Sequence, residues 1–278
     1  MSNITGGYPD VQRVQTGFWS LDSALGGNSG LGIPMTFIEI FGYQGIGKSV
    51  FASFLMAEIS KHYQKKSVYL PFEDVDVTLL GKIMDFHGNE NEVSMLGTWE
   101  SVKKFFKSFE RKRDTILTDE LMIDCFLEAA RSLDYCVGVV DSLTTFVSIA
   151  EMESSVADRN MGRARVVSVF ARSMNQIKRG REDEPFATIV LSHKFQPMGG
   201  GAPSNTGSST TGGEIKKDVS KVRISLRRLP ENSFEMDSQR NIYEQQAYVL
   251  EGKVEKNGFG RDDKKFYVVM LGGKGAHM

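Results

Sequence analysis

Gly42-Tyr43-Gln44-Gly45-Ile46-Gly47-Lys48-Ser49 fits the template G-x-x-x-x-G-K-[ST] at every fixed position. The run before it, Met35-Thr36-Phe37-Ile38-Glu39-Ile40-Phe41, reads as a strand, and Val50-Phe51-Ala52-Ser53-Phe54-Leu55-Met56-Ala57-Glu58-Ile59 after it reads as a helix. A strand, a glycine-rich turn and a helix start gather several backbone N–H groups around one point at the positive end of a helix dipole. That arrangement cradles phosphate oxygens. In this template Gly42 through Val50 surround the phosphates, Lys48 reaches the outer ones, and the Ser49 hydroxyl ligates magnesium. A glycine turn arising by chance is the competing explanation, and it would need neither the strand nor the helix.

The chain has 278 residues, 40% of them hydrophobic and 25% charged, ordinary values for a globular protein with a sizeable core. Its formal net charge is −1, from 34 basic and 35 acidic residues, so bulk charge gives no push toward nucleic acid and any such binding needs a local patch. Cys125 and Cys136 both sit in apolar surroundings and read as buried thiols in a reducing compartment, not as a disulfide or metal pair. No basic-then-apolar N-terminal segment reads as a signal peptide, and no apolar run is long enough to span a bilayer. A cytoplasmic protein with no membrane partner is expected.

Residues 1–15 read as an arm with a possible oligomerisation role, and residues 16–278 as a single core. A short helix closed by Gly26 and Gly27 is expected within residues 16–27. Residues 67–72, 137–141 and 187–192 read as buried strands, and 221–229 as a half-exposed one. Residues 100–113, carrying Val102, Phe105, Phe106 and Phe109, predict an amphipathic helix, as do 118–133, capped by Thr118, and 161–179. Residues 246–256 and 265–271 predict a final antiparallel pair. Gly275-Ala276-His277-Met278 resembles a cloning remnant and is given no function. Strands alternating with helices predict an α/β fold with a largely parallel central sheet flanked by helices.

In such sheets ligands collect beyond the carboxyl ends of the strands. Asp141 closes one strand and suits an acid of the magnesium shell. Glu73 closes another, where a carboxylate orients or deprotonates an attacking water. His193 closes a third, placed to sense a γ-phosphate. An acid after a buried strand is often only the start of a loop. The three readings reinforce one another because all would face the phosphate loop.

The ordered set resembles the RecA-type recombinase core. Thr16-Gly17-Phe18-Trp19-Ser20-Leu21-Asp22-Ser23-Ala24-Leu25-Gly26 is similar to that family's lead-in, residues 38–49 to its phosphate loop, and Val139-Val140-Asp141-Ser142-Leu143 to its Walker B strand. Asn160-Met161-Gly162-Arg163-Ala164-Arg165 resembles the end of its first DNA-binding loop and the helix after it. Thr210-Thr211-Gly212-Gly213, followed by Val222-Arg223-Ile224-Ser225-Leu226-Arg227-Arg228, resembles the end of its second. His193 and Val254-Glu255-Lys256 resemble the phage UvsX-type branch. The resemblance implies an ATP-dependent, DNA-stimulated ATPase that coats single-stranded DNA as a filament and exchanges it with duplex DNA, with ATP and Mg2+ as cofactors. By the same resemblance Lys48, Glu73 and His193 are the catalytic set, Ser49 and Asp141 hold the metal, and Lys256 or Lys253 reaches the nucleotide of a neighbouring subunit. Arg159, Arg163, Lys194, Phe195, Thr210, Thr211, Gly212, Gly213 and Lys216 would meet DNA.

Composition speaks less for those loops. Residues 196–213 are nearly all Gly, Ser, Thr, Pro and Asn, equally compatible with a disordered surface loop, and arginines on a helix are usually a solvated face. Lysines and Phe195 could still track phosphates and stack on a base. The short arm departs from the family, although Val11 and Val14 could add a strand to a neighbour. Residues 100–113 look like an insertion, and Leu80 stands where an aromatic residue is expected to pack on adenine. Glu73-Asp74 also resembles KaiC- and DnaB-type ATPases, leaving a ring-forming helicase or helicase loader, or a nucleotide-gated recombination mediator, as alternatives.

Overall fold

The computed structural model describes residues 11–26, 30–106, 117–149, 160–181, 183–194, 219–229, 247–271 and 275–277. Nine strands form one mixed sheet in the order β11-β10-β9-β8-β3-β7-β6-β4-β5. They are β3 (Phe37–Gly42), β4 (Lys66–Pro71), β5 (Val93–Met95), β6 (Tyr135–Asp141), β7 (Ala187–His193), β8 (Val222–Arg228), β9 (Ala247–Asn257), β10 (Lys265–Leu271) and β11 (Gly275–His277). The six strands from β8 to β5 run parallel, and β9, β10 and β11 continue antiparallel beyond β8. The fold is therefore the expected α/β class with an antiparallel C-terminal extension. Gly275–His277, given no role from sequence, pairs with β10.

Helices cover both faces, which is why the central strands are near-continuous apolar runs instead of alternating ones. On one face Ile38, Ile40, Tyr69, Val139 and Ile189 pack with α2 (Lys48–Tyr63) and α1 (Trp19–Leu25). On the other, Val68, Leu70, Val140 and Val190 meet α4 (Trp99–Phe105), α5 (Asp119–Arg131) and α6 (Asn160–Arg179). Phe51, Phe54, Leu55 and Ile59 are fully buried, so α2 lies deep in the molecule. Cys125 and Cys136 are free and buried, and burial pushes both thiols up to about 12. Among the described residues, no helix is long and apolar enough to cross a membrane.

The sequence lead-in has a local physical cause. Asp22, in α1, accepts hydrogen bonds from the Thr16 N–H at 3.0 Å, the Thr16 hydroxyl at 2.9 Å and the Gly17 N–H at 3.1 Å. This closes the approach to α1 onto itself. Thr118 caps α5 by accepting from the Leu121 N–H, as expected. The second half of the helix expected over 100–113 lies outside the described residues.

Two expectations change. Val14 does not wait for a neighbour: β1 (Arg13–Val14) pairs antiparallel with β2 (Ile33–Pro34) of the same chain, and Val14 is fully buried. The apolar side chain is worth more under this chain's own helices than in water. Leu80 does not face a base: it lies on α3 (Val77–Phe86), which the sequence reading passed over, and is buried in the core with Met84 and Ala57.

Candidate functional site

The register of the parallel strands puts four strand ends on one edge. Gly42 of β3 stands level with His193 of β7, and Pro71 of β4 with Asp141 of β6. The Asp141 carbonyl accepts from the N–H groups of Phe72 at 2.5 Å and Glu73 at 3.2 Å, tying the exit of β4 to the end of β6. The Lys194 N–H donates to the Gly42 carbonyl at 3.0 Å, and the His193 N–H to the Thr144 hydroxyl at 3.0 Å. The residues that leave β3, β4, β6 and β7 are thus hydrogen-bonded to one another before any ligand arrives.

Between Gly42 and α2 the chain makes the phosphate turn. Gly45 and Gly47 take φ of 74° and 99°, a left-handed region that residues with a Cβ avoid. Gly47 is the N-cap of α2 and supplies no side-chain cap, so the helix start keeps its donors for another acceptor. Lys48 is only 6% exposed, and its ammonium donates to the Tyr43 carbonyl at 2.8 Å across the turn. Burial lowers the Lys48 ammonium below its ordinary value, and the nearby charges of Asp141 and Glu73 partly restore it.

Asp141 is 3% exposed. Burial raises its carboxyl above the ordinary value, opposed by hydrogen bonds from Ser49 and Tyr69. The Tyr69 phenol donates to Asp141 Oδ2 at 2.7 Å. The hydroxyl of Ser49 and the carboxylate of Asp141 are adjacent hard oxygen donors at the mouth of the phosphate turn, a donor set that suits magnesium.

Glu73 is held from two sides. The Ser142 hydroxyl donates to Glu73 Oε1 at 2.6 Å, and His193 Nε2–H donates to the same oxygen at 2.7 Å. Burial pushes the Glu73 carboxyl up, but those two hydrogen bonds and the charges of His193 and Lys48 outweigh it and leave it below the usual range. A cleft of about 1380 Å³ opens beside it, lined among others by Tyr43, Gln44, Glu73, Thr144, His193 and Lys194. The arrangement therefore offers a donor-rich turn, a buried cation, a hydroxyl–carboxylate pair and an anchored second carboxylate, all at one sheet edge.

Lys48, Ser49, Asp141, Glu73 and His193, chosen from sequence, are brought together. Lys194 leans its ammonium over the Tyr43 ring at 6.0 Å. Lys253 pairs with Asp263 at 2.6 Å and borders a smaller cleft beside Gly42 and Tyr43. Lys256 is opposite Arg223, which is level with Glu39 near the other end of β3, away from this chain's own phosphate turn. Arg159, Phe195, Thr210, Thr211, Gly212, Gly213 and Lys216 lie outside the described residues, as does the side chain of Arg163. Sequence reasoning missed Tyr69 and Ser142. Tyr69 was hidden in an apolar strand, and Ser142 followed the acid that drew attention.

The fold and the turn define an α/β phosphate-loop core. No family model matches the sequence. Among curated proteins, Protein RecA of Arthrospira platensis is 28% identical over 220 residues, 78% of this chain and 52% of that protein. Protein RecA of a Nitratiruptor species is 26% identical over 226 residues, covering 79% and 56%. Protein RecA of a Nostoc species is 27% identical over 224 residues, covering 79% and 54%. The chain spans about half the length of the curated relatives it matches. These similarities support a RecA-like family.

Proposed function

We propose that this chain is a DNA-dependent ATPase and recombinase that binds single-stranded DNA as a helical filament in the cytoplasm and pairs it with homologous duplex DNA. The observation that carries the reading is the convergence of Lys48, Asp141, Glu73 and His193 on one phosphate turn, in a chain whose similarity is to RecA. His193 with Val254-Glu255-Lys256 favours the UvsX-type branch.

The phosphate turn and Lys48 bind the triphosphate of ATP. Ser49 and Asp141 hold magnesium, which when bound offsets the negative charge of the outer phosphates. Glu73 stays ionised at neutral pH, because its donors keep the carboxyl low, and with Oε1 anchored by Ser142 and His193 it presents Oε2 to a water. That water attacks the γ-phosphorus, its proton passes toward Glu73, and the bond to ADP breaks. His193 touches Glu73 and leads directly into Lys194 and the Gly/Ser/Thr-rich residues 196–213, so occupancy of the γ-phosphate position is communicated to the segment assigned to DNA. Lys256, or Lys253, serves the nucleotide of a neighbouring protomer, and Arg159, Arg163, Lys194, Phe195, Thr210, Thr211, Gly212, Gly213 and Lys216 meet the DNA strand.

Electron microscopy of the protein with single-stranded DNA and a non-hydrolysable ATP analogue tests the reading. Helical filaments are expected. Closed rings would assign the chain to the helicase type instead, and isolated protomers would make it a nucleotide-gated mediator.

A further inference from the structure

We propose that Tyr69 is a positioning residue that fixes the Asp141 carboxylate for magnesium, an inference that rests on the phosphate-loop ATPase reading above. In the parallel register Tyr69 stands opposite Val139, and Pro71 opposite Asp141. Tyr69 and Asp141 are therefore diagonal neighbours on the same face of the sheet, the face that carries α2. Diagonal positions are roughly 7–8 Å apart, a gap only a long or aromatic side chain closes. The phenol spans it and places its oxygen 2.7 Å from Asp141 Oδ2. The ring itself is fully buried in the core beneath α2, so the hydroxyl has little freedom to move.

The chemistry of the donor matters. A phenol satisfies one lone pair of a buried carboxylate without bringing positive charge. A lysine or arginine at this position would neutralise Asp141 and repel a divalent cation. A phenylalanine would leave Oδ2 without this donor and the carboxylate free to turn. Ser49 reaches the same carboxylate but is also the hydroxyl that would ligate the metal. Ser49 would bind magnesium through an oxygen lone pair and keep its O–H for Asp141, so Tyr69 is a second donor, one that stands outside the metal shell. Partners of this outer kind typically carry about 10–100-fold in metal affinity.

The test is Tyr69→Phe, read by the binding of a fluorescent ATP analogue, first in EDTA and then across a magnesium titration. The expected result is metal-free affinity within about twofold of wild type and a magnesium midpoint raised about 10-fold or more. An unchanged midpoint, or equal losses with and without metal, overturns the assignment of Tyr69. Wild-type protein whose nucleotide binding ignores magnesium overturns the ATPase reading itself, a separate outcome. Should Tyr69→Phe alone not fold, it is combined with Asp141→Asn. Recovery of a cooperative melt shows that the lost donor to Asp141 was the fault, and continued failure shows that Tyr69 is only packing.

Discussion

Replacing Gly47 with alanine should damage nucleotide binding far more than replacing Gly45, although both glycines sit in the same turn and both take positive φ. A Cβ on Gly45 would meet nothing within 4 Å, so that variant carries only the left-handed backbone strain, about 1–2 kcal/mol. A Cβ on Gly47 would stand 2.3 Å from the Tyr248 hydroxyl oxygen and 3.2 Å from the ring carbon bearing it. Tyr248 cannot simply swing away: it packs against the core beneath α2, and the Arg228 guanidinium lies 4.6 Å over its ring. Forcing it aside adds about 1–3 kcal/mol. A variant turn relieves this strain in the free protein by leaving the nucleotide-ready shape and must be forced back on binding, so the totals convert to roughly 10-fold weaker binding for Gly45→Ala and about 30-fold or more for Gly47→Ala. Titration of a fluorescent ATP analogue with magnesium present reads both. Adding Tyr248→Ala to Gly47→Ala should return affinity to the roughly 10-fold deficit, measured against Tyr248→Ala alone. Equal losses for the two glycine variants, or no recovery in the double variant, would refute the steric argument.

Ser142→Ala removes one of the two donors on Glu73 Oε1. Glu73 is 28% exposed, so solvent cuts the bond to an ordinary net hydrogen-bond value, about 1 kcal/mol. Its carboxyl should rise, so ATP hydrolysis should match wild type at pH 8 and fall progressively below it as pH drops under about 5, approaching a deficit of about fivefold only where both carboxyls are mostly protonated; a pH-independent deficit would assign Ser142 to geometry alone. Asp141, whose carboxyl burial raises, binds protons more readily folded than unfolded. Its contribution therefore favours folding below the ordinary carboxylate range and turns unfavourable as pH rises through that range. Metal-free Asp141→Asn should accordingly melt above wild type at pH 7.5, with the gap shrinking as pH falls into the carboxylate range, while losing stabilisation by magnesium and ATP. Arg181 is 6% exposed and donates to the carbonyls of Glu184, Ala130, Ser132 and Tyr135 at 2.6–2.8 Å. Arg181→Met should cost about 3–5 kcal/mol in urea unfolding, because buried acceptors are left without a donor; a loss below about 1 kcal/mol would contradict that role.

The parts legible in sequence were those written locally. The phosphate turn is contiguous, and β3, β4, β6 and β7 are buried on both faces, so their apolar runs stand out and their last residues point to the edge where ligands gather. Thr118 and its helix follow from a short capping pattern. What stayed hidden depends on residues far apart in the chain. Whether Tyr69 reaches Asp141 is decided by the register of β4 on β6, and Ser142 meets Glu73 only because those two strand ends are neighbours. Val14 read as free for a neighbour because its partner strand, β2, has only two residues. Helix α3 escaped notice because Gly81 interrupts a short pattern whose cap, Asp76, is one of three acids within four residues.

The central claim is that Glu73, anchored by Ser142 and His193, activates the water that cleaves ATP on the Lys48 turn. Turnover and ATP affinity of Glu73→Gln, measured with magnesium and single-stranded DNA, test it most directly. The account predicts ATP binding within about twofold of wild type and turnover lowered at least roughly 100-fold. Undiminished hydrolysis, or loss of binding in step with loss of turnover, would contradict it.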